Sequence, residues 1–455
     1  MDAISFGTDG WRARLDTFTD ERVRMVGQAV ADYLADEGVD APVAVGYDAR
    51  ATSEGFAESL ADVLAGNGFD VLLPERDCPT PVIAWGIVDR DLAGALMVTA
   101  SHNPPEYNGV KFIPSDGAPA LPEVTDAIEA RLVHPSTDGP RGSVDRVDFL
   151  GSHAEQAREL VDPDCSELTV VYDAMHGSGR GVTDALLESA GATVIRRRCE
   201  RDTDFGGGSP EPSPERLAGL VDAVDAHDAD LGVANDGDAD RLAVVTPDRG
   251  FLDENLFFAA VYDALLDSDS GPAVRSVSTT FLIDRVADAH GEEVIETPVG
   301  FKWVAEAMVE ADALIGGEES GGFTLRGHVP EKDGVLMALL AADATAADPL
   351  DRRVDRLLDT HGGVVADKVS VDCPDDRKAA VVDALGDAIP ETVADRAVDD
   401  VITLDGFKLL LSDGSWLLVR PSGTEPKMRV YAEARSRDRV DALLAEGRDL
   451  VVGLV

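Results

Sequence analysis

The chain has 455 residues, a formal net charge of -47, a sequence pI near 4.3 and 44% hydrophobic residues. At roughly 100 to 200 residues per domain, that length predicts three or four domains instead of one core. The charge excludes a nucleic-acid partner, whose phosphates would be repelled, and no run approaches the ~20 apolar residues of a membrane span.

The acidic excess is spread along the chain, and arginine is used far more often than lysine. That pattern predicts a halophilic host, where self-repulsion is screened over roughly 3 Å at 1 M salt. Cys78, Cys165, Cys199 and Cys373 are scattered without a Cys-x-x-Cys, so neither a disulfide framework nor a zinc site is expected. Met1-Asp2-Ala3-Ile4-Ser5-Phe6 has no basic region and no apolar core, so a cytoplasmic protein is expected.

From the N-terminus, Phe6-Gly7-Thr8-Asp9-Gly10-Trp11-Arg12 is a Gly-rich turn ending in a cation, which alone also fits an ordinary hairpin. A repeat follows. Residues 42–48 lead through Leu60 and Leu64 to 68–73; residues 168–173 lead through Leu186 and Leu187 to 191–195; residues 273–278 lead through Leu282 and Val286 to 291–295. Each copy reads strand, helix, glycine stop, strand, which calls for parallel strands covered on both faces. Residues 364–455 read differently, with short strands such as 416–419 and a closing helix around 440–450. The fold class expected is α/β: three related mixed α/β domains at 1–143, 144–252 and 253–362, then an α+β domain at 363–455, around a central cleft.

Inside the first domain, Thr99-Ala100-Ser101-His102-Asn103-Pro104-Pro105-Glu106-Tyr107-Asn108-Gly109-Val110-Lys111 follows an apolar run short enough to be a buried strand. Its prolines and Asn108-Gly109 forbid a continuing helix or strand, so Ser101 sits on a stiff loop. A lone serine is a poor nucleophile, but His102 and Lys111 can move a proton and balance a phosphate's charge. A bare Ser-His-Asn would as readily be a capping turn.

In the second domain, Asn235-Asp236-Gly237-Asp238-Ala239-Asp240-Arg241 lies between two apolar runs. Alternate aspartates on a tight loop turn hard oxygen ligands to one side, suited to Mg²⁺, and without a cation they would repel one another. An EF-hand is excluded because no glutamate stands at loop position twelve and a strand follows. Downstream come Thr297-Pro298-Val299-Gly300-Phe301-Lys302, then Gly316-Gly317-Glu318-Glu319-Ser320-Gly321-Gly322-Phe323, then His328-Val329-Pro330-Glu331-Lys332-Asp333-Gly334. In the fourth domain, Arg420-Pro421-Ser422-Gly423-Thr424-Glu425-Pro426-Lys427-Met428-Arg429 combines a close-approach glycine with hydroxyl and guanidinium donors, an anion cradle.

The thirteen residues around Ser101 closely resemble the active-serine loop of the alpha-D-phosphohexomutases, the phosphoglucomutase and phosphomannomutase family. The other loops match that family's motifs in its order, over essentially the whole chain. The resemblance implies that Ser101 is carried as a phosphoserine and that Asp236, Asp238, Asp240 and an oxygen on Ser101 hold Mg²⁺ with Arg241 beside them. It further implies that Arg12 faces the cleft, that Glu318 and Ser320 grip hexose hydroxyls with Lys302 and His328 nearby, and that Arg420, Ser422, Gly423, Thr424 and Arg429 hold the phosphate that is not reacting. The activity implied is phosphoryl transfer between C1 and C6 of a glucose or mannose phosphate through a hexose 1,6-bisphosphate. Whether His102 or Lys111 handles the proton stays open, as does the oligomeric state. A phosphoglucosamine mutase, a phosphatase and a non-catalytic sugar-phosphate binder are the other readings. Some bacterial members have histidine where this chain has Gly322.

Overall fold

The three repeats fold as their apolar runs require. In the first, Val43–Tyr47 pairs in parallel with Val71–Pro74 across the helix Ser53–Gly66. In the second, Thr169–Asp173 pairs with Thr193–Arg197 across Thr183–Ser189. In the third, Ala273–Ser276 pairs with Val294–Thr297 across Leu282–His290. The computed structural model describes residues 4–7, 10–136, 141–423 and 425–455.

Each of these strand pairs belongs to a larger mixed sheet of six, five or four strands, with antiparallel strands at one edge. The antiparallel additions carry the chemistry-bearing loops. Gly94–Val98 runs into the serine loop and returns as Tyr107–Pro114, while Leu231–Asn235 and Leu242–Thr246 form a hairpin whose turn is the aspartate loop. The fourth domain is an antiparallel six-stranded sheet packed by helices Asp375–Asp387 and Arg437–Val452.

The first domain boundary, expected at 143, falls one strand early. Val144–Val147 pairs in parallel with Val71–Pro74 and closes the edge of the first sheet. It is mostly exposed, so no apolar pattern marks it. The second and third domains share one continuous core, which also takes in Val82, Ile83 and Met97 of the first, and the helix Gly334–Ala347 bridges it by packing on Thr183–Ser189 and both strands of the aspartate hairpin. Apolar on nearly every side, that helix is buried as a core helix is.

Candidate active site

Ser101 stands at the end of the buried strand Gly94–Val98 with φ 48°, a left-handed conformation that a non-glycine residue adopts only when its surroundings hold it there. Its N–H donates to Thr99 Oγ1 (2.8 Å), whose hydroxyl donates to the buried carboxylate of Asp48 (2.8 Å). Its own hydroxyl donates to Asp236 Oδ2 (2.7 Å), and His102 Nδ1 lies 3.2 Å from the same hydroxyl oxygen. The Arg241 guanidinium, burial and Arg12 together push the His102 pKa down to about 2, so its ring is neutral at ordinary pH.

The aspartate loop is held at its base by Asn235, whose side-chain oxygen accepts from Tyr172 and Thr183 while its amide donates to the Arg241 carbonyl. The loop closes through the Arg241 N–H to Asp236 Oδ1 (3.2 Å). It docks on the first domain where Thr80 gives its hydroxyl to Asp238 Oδ2 (2.7 Å) and its N–H to the Asp238 carbonyl (2.9 Å). One oxygen from each of Asp236, Asp238 and Asp240 lies within 4.8 Å of the others, and all three residues are buried. Burial first, then its two neighbours, raises the Asp236 pKa far above the carboxylate range; Asp238 is raised by burial and Asp240. Three converging carboxylates, with Asp238 Oδ1 buried and lacking a hydrogen bond among the described residues, fit a divalent cation such as Mg²⁺, with Ser101 close enough to add its oxygen.

Cations surround this group. Lys111 Nζ is 3.8 Å from Asp240 Oδ2 and 3.7 Å from Glu331 Oε2, and Arg241 Nε is 4.0 Å from Asp240 Oδ1. Sequence reasoning picked out the segment 328–334 but singled out neither Lys332 nor Glu331. Lys332 Nζ lies 3.3 Å from Asp240 Oδ2 and 2.8 Å from the fully buried Glu331. A Cβ on Gly322 would meet Lys332 Cδ at 2.4 Å, so the lysine stem takes the space that a side chain at 322 would need.

Glu318 Oε1 accepts from the Gly300 N–H (2.8 Å), and burial followed by Glu319 pushes its pKa up to about 7. Gly300 has φ 125° where the chain turns into the helix Phe301–Ala311, and Lys302 sits in that helix's first turn with its ammonium 5.5 Å from the Trp303 ring. The Ser320 carbonyl receives Arg241 Nη1 at 3.5 Å, joining the second domain to the third. The adjacent Val299 N–H donates to Asp405, which also accepts from Arg420 Nε (2.8 Å). One unbroken set of contacts thus runs from Glu318 to the anion cradle. Within the cradle, Ser422 Oγ lies 3.5 Å from Arg429 Nε, Glu425 pairs with Arg429 and Lys427, and Lys378 donates to the Ser422 carbonyl. Gly423 is exposed beside it, and Thr424 lies outside the described residues. Arg12, on the strand Trp11–Arg14, pairs with Gly109 of the returning serine loop.

His328 is the exception to the expected sugar site. Its side chain is 0% exposed, and it shares Asp333 Oδ2 with His153, at 2.8 Å and 2.6 Å respectively. Asp333 Oδ1 caps the helix Gly334–Ala347 through the Val335 and Leu336 N–H groups. With both Nε2 atoms on one carboxylate, this group clamps the helix start to the segment that carries His153.

The chain matches four family models: phosphoglucomutase/phosphomannomutase alpha/beta/alpha domains I, II and III over residues 3–138, 151–250 and 253–361, and the C-terminal domain over 369–450. It is 35% identical to a probable phosphoglucosamine mutase of Methanopyrus kandleri, over 98% of this chain and 97% of that one. It is 32% identical to a phosphoglucomutase/phosphomannomutase of Thermococcus kodakarensis, over 98% of each. A solved structure of a phosphomannomutase candidate from Thermus thermophilus superposes with a TM-score of 0.87 at 32% identity, covering 99% of both chains. Among the described residues no helix is long and apolar enough to cross a membrane.

Proposed function

Because this chain belongs to the phosphoglucomutase/phosphomannomutase family, we propose that it moves a phosphoryl group between C1 and C6 of a glucose or mannose phosphate, with Ser101 as the carrier and a 1,6-bisphosphate as the intermediate. The observation that carries the reading is the Ser101 hydroxyl seated 2.7 Å from Asp236, within reach of three converging carboxylates and flanked by Lys111, Lys332 and Arg241.

Phosphoryl transfer needs alignment and neutralisation of the charge on the transferring group, with little covalent help. Mg²⁺ held by Asp236, Asp238, Asp240 and the Ser101 oxygen would neutralise charge on the transferring phosphoryl group. Lys111, Lys332 and Arg241 supply the remaining positive charge from three directions. Neutral His102 stands 3.2 Å from the Ser101 hydroxyl oxygen, and Lys111 stands against Asp240 of the aspartate loop. His102 is in the imidazole form, but a pKa pushed down to about 2 makes it a weak acceptor for the hydroxyl proton. Glu318 and Ser320 grip sugar hydroxyls, while Arg420, Ser422, Gly423, Thr424 and Arg429 hold the waiting phosphate. Either end of the sugar can then be presented to one reactive serine.

An amino-sugar substrate is the second reading. It is favoured by the 35% identical probable phosphoglucosamine mutase and by Glu318, pushed up to about 7 first by burial and then by Glu319, a setting that welcomes a cation. Coupled assays on glucose 1-phosphate, mannose 1-phosphate and glucosamine 1-phosphate, each with and without a trace of bisphosphate, decide between them. Turnover of the glucose or mannose ester at the higher kcat/KM supports the first reading. Preference for glucosamine supports the second, and release of inorganic phosphate with no isomer rejects both.

A further inference from the structure

Arg50 follows the strand Val43–Tyr47 and is 1% exposed, so it touches no sugar. Its guanidinium gathers the serine loop from behind. Nη2 donates to the carbonyls of Ser101 (2.8 Å) and Asn103 (2.7 Å), Nη1 to those of Pro104 (2.8 Å) and Tyr107 (3.1 Å), and Nε to Asp48 Oδ2 (2.9 Å). All five of its N–H donors are thereby used. The ring of Phe205, from the second domain, covers it at 5.1 Å.

The same Asp48 carboxylate that receives Arg50 also receives Thr99, which in turn receives the Ser101 N–H. Ser101 is therefore held at its amide and at its carbonyl by one buried ion pair. A left-handed serine is otherwise unfavourable and would relax, carrying its hydroxyl away from Asp236. Four loop carbonyls converge on this one side chain, and a lysine, with three donors and no planar fork, cannot replace the pattern.

We propose that Arg50 is the positioning residue of the serine loop: its guanidinium fixes the turn that aims Ser101 Oγ at Asp236, and without it phosphoryl transfer slows while sugar-phosphate binding does not. The kinetic part rests on the mutase reading, whereas the loop-holding part does not. The test is Arg50→Lys, which keeps the charge, with Phe205→Leu, which removes only the ring above it. Hydrogen exchange of the 101–109 amides and steady-state kinetics are read on both full-length variants.

In Arg50→Lys, faster exchange confined to 101–109 and a kcat reduced about 100-fold, with KM within about threefold, are expected for a reacting atom displaced by about 1 Å. Phe205→Leu should show the same split at about fivefold. Unchanged exchange with unchanged kcat in both variants overturns the proposal, and so does a change confined to KM. A faster-exchanging loop in a protein whose wild type interconverts no sugar phosphate upholds the positioning role and defeats the mutase reading instead. If Arg50→Lys does not fold, Phe205→Leu decides by the same criteria.

Discussion

Replacing Asp236 by asparagine separates what the aspartate loop does for stability from what it does for chemistry. Asp236 is completely buried, and burial together with Asp238 and Asp240 raises its pKa. A carboxyl that is more basic in the fold than in the unfolded chain binds its proton more tightly when folded. Above its unfolded pKa it therefore lowers stability as pH rises, and the deficit is complete at pH values above the folded pKa. Each unit of elevation corresponds to about 1.4 kcal/mol, and for a shared core of roughly 200 residues each kcal/mol moves the melting temperature by roughly 2 to 4 °C.

Asp236→Asn in EDTA at neutral pH should consequently melt several degrees above EDTA-treated wild type. Mg²⁺ should act in the opposite order. At about 100 times its Kd it should stabilise wild type by about 2.7 kcal/mol, and the variant by almost nothing. Differential scanning fluorimetry with and without Mg²⁺ reads both effects in one experiment. The reasoning is refuted if metal-free Asp236→Asn melts below metal-free wild type, or if Mg²⁺ raises the variant as much as the wild type.

Ser101→Ala should retain its fold and lose turnover by about 10³-fold or more, with no phosphate adduct by intact mass, as expected for loss of the group-carrying atom. On the proposed reading, Arg429→Met removes charge-assisted bonds to the waiting phosphate; KM should rise by roughly 10- to 100-fold, and a rise below about twofold would place the phosphate elsewhere. His328 is held neutral chiefly by burial, so its contribution to stability is present above its unfolded pKa near 6.5 and is lost as pH falls from there towards its depressed folded value. His328→Gln should melt lower at about pH 7.5 and show a shallower decline to about pH 5, and an unchanged slope would count against the assignment. With a formal charge of -47, the melting temperature should climb between dilute buffer and molar KCl, and a flat response would remove charge repulsion as a factor.

What could be read in advance follows physical range. The strand, helix, glycine, strand units were legible because Gly68, Gly191 and Gly291 adopt positive φ after their helices, a demand that one residue type meets. The convergence of the three aspartates was legible because they stand at alternate positions of one short loop between apolar strands. Val144–Val147 was not, since an exposed edge strand carries no apolar period. Local resemblance puts His328 at the sugar, but its position is set by His153, which arrives from a distant segment and shares Asp333 with it. Arg50 was invisible for the same reason: its meaning lies in four carbonyls that only the folded serine loop brings together. Lys332 and Glu331 lay inside a recognised motif, yet their contact with Asp240 and Lys111 needs three domains in place.

The most direct measurement follows the phosphoryl group itself. Protein carrying radiolabelled phosphate on Ser101 is mixed with unlabelled hexose 1-phosphate, and the label is tracked with time. The mechanism predicts that the label appears first in a 1,6-bisphosphate and then on C6 of the product, while Ser101 regains an unlabelled phosphate. Label released as inorganic phosphate, or left on Ser101 while isomer accumulates, would contradict it.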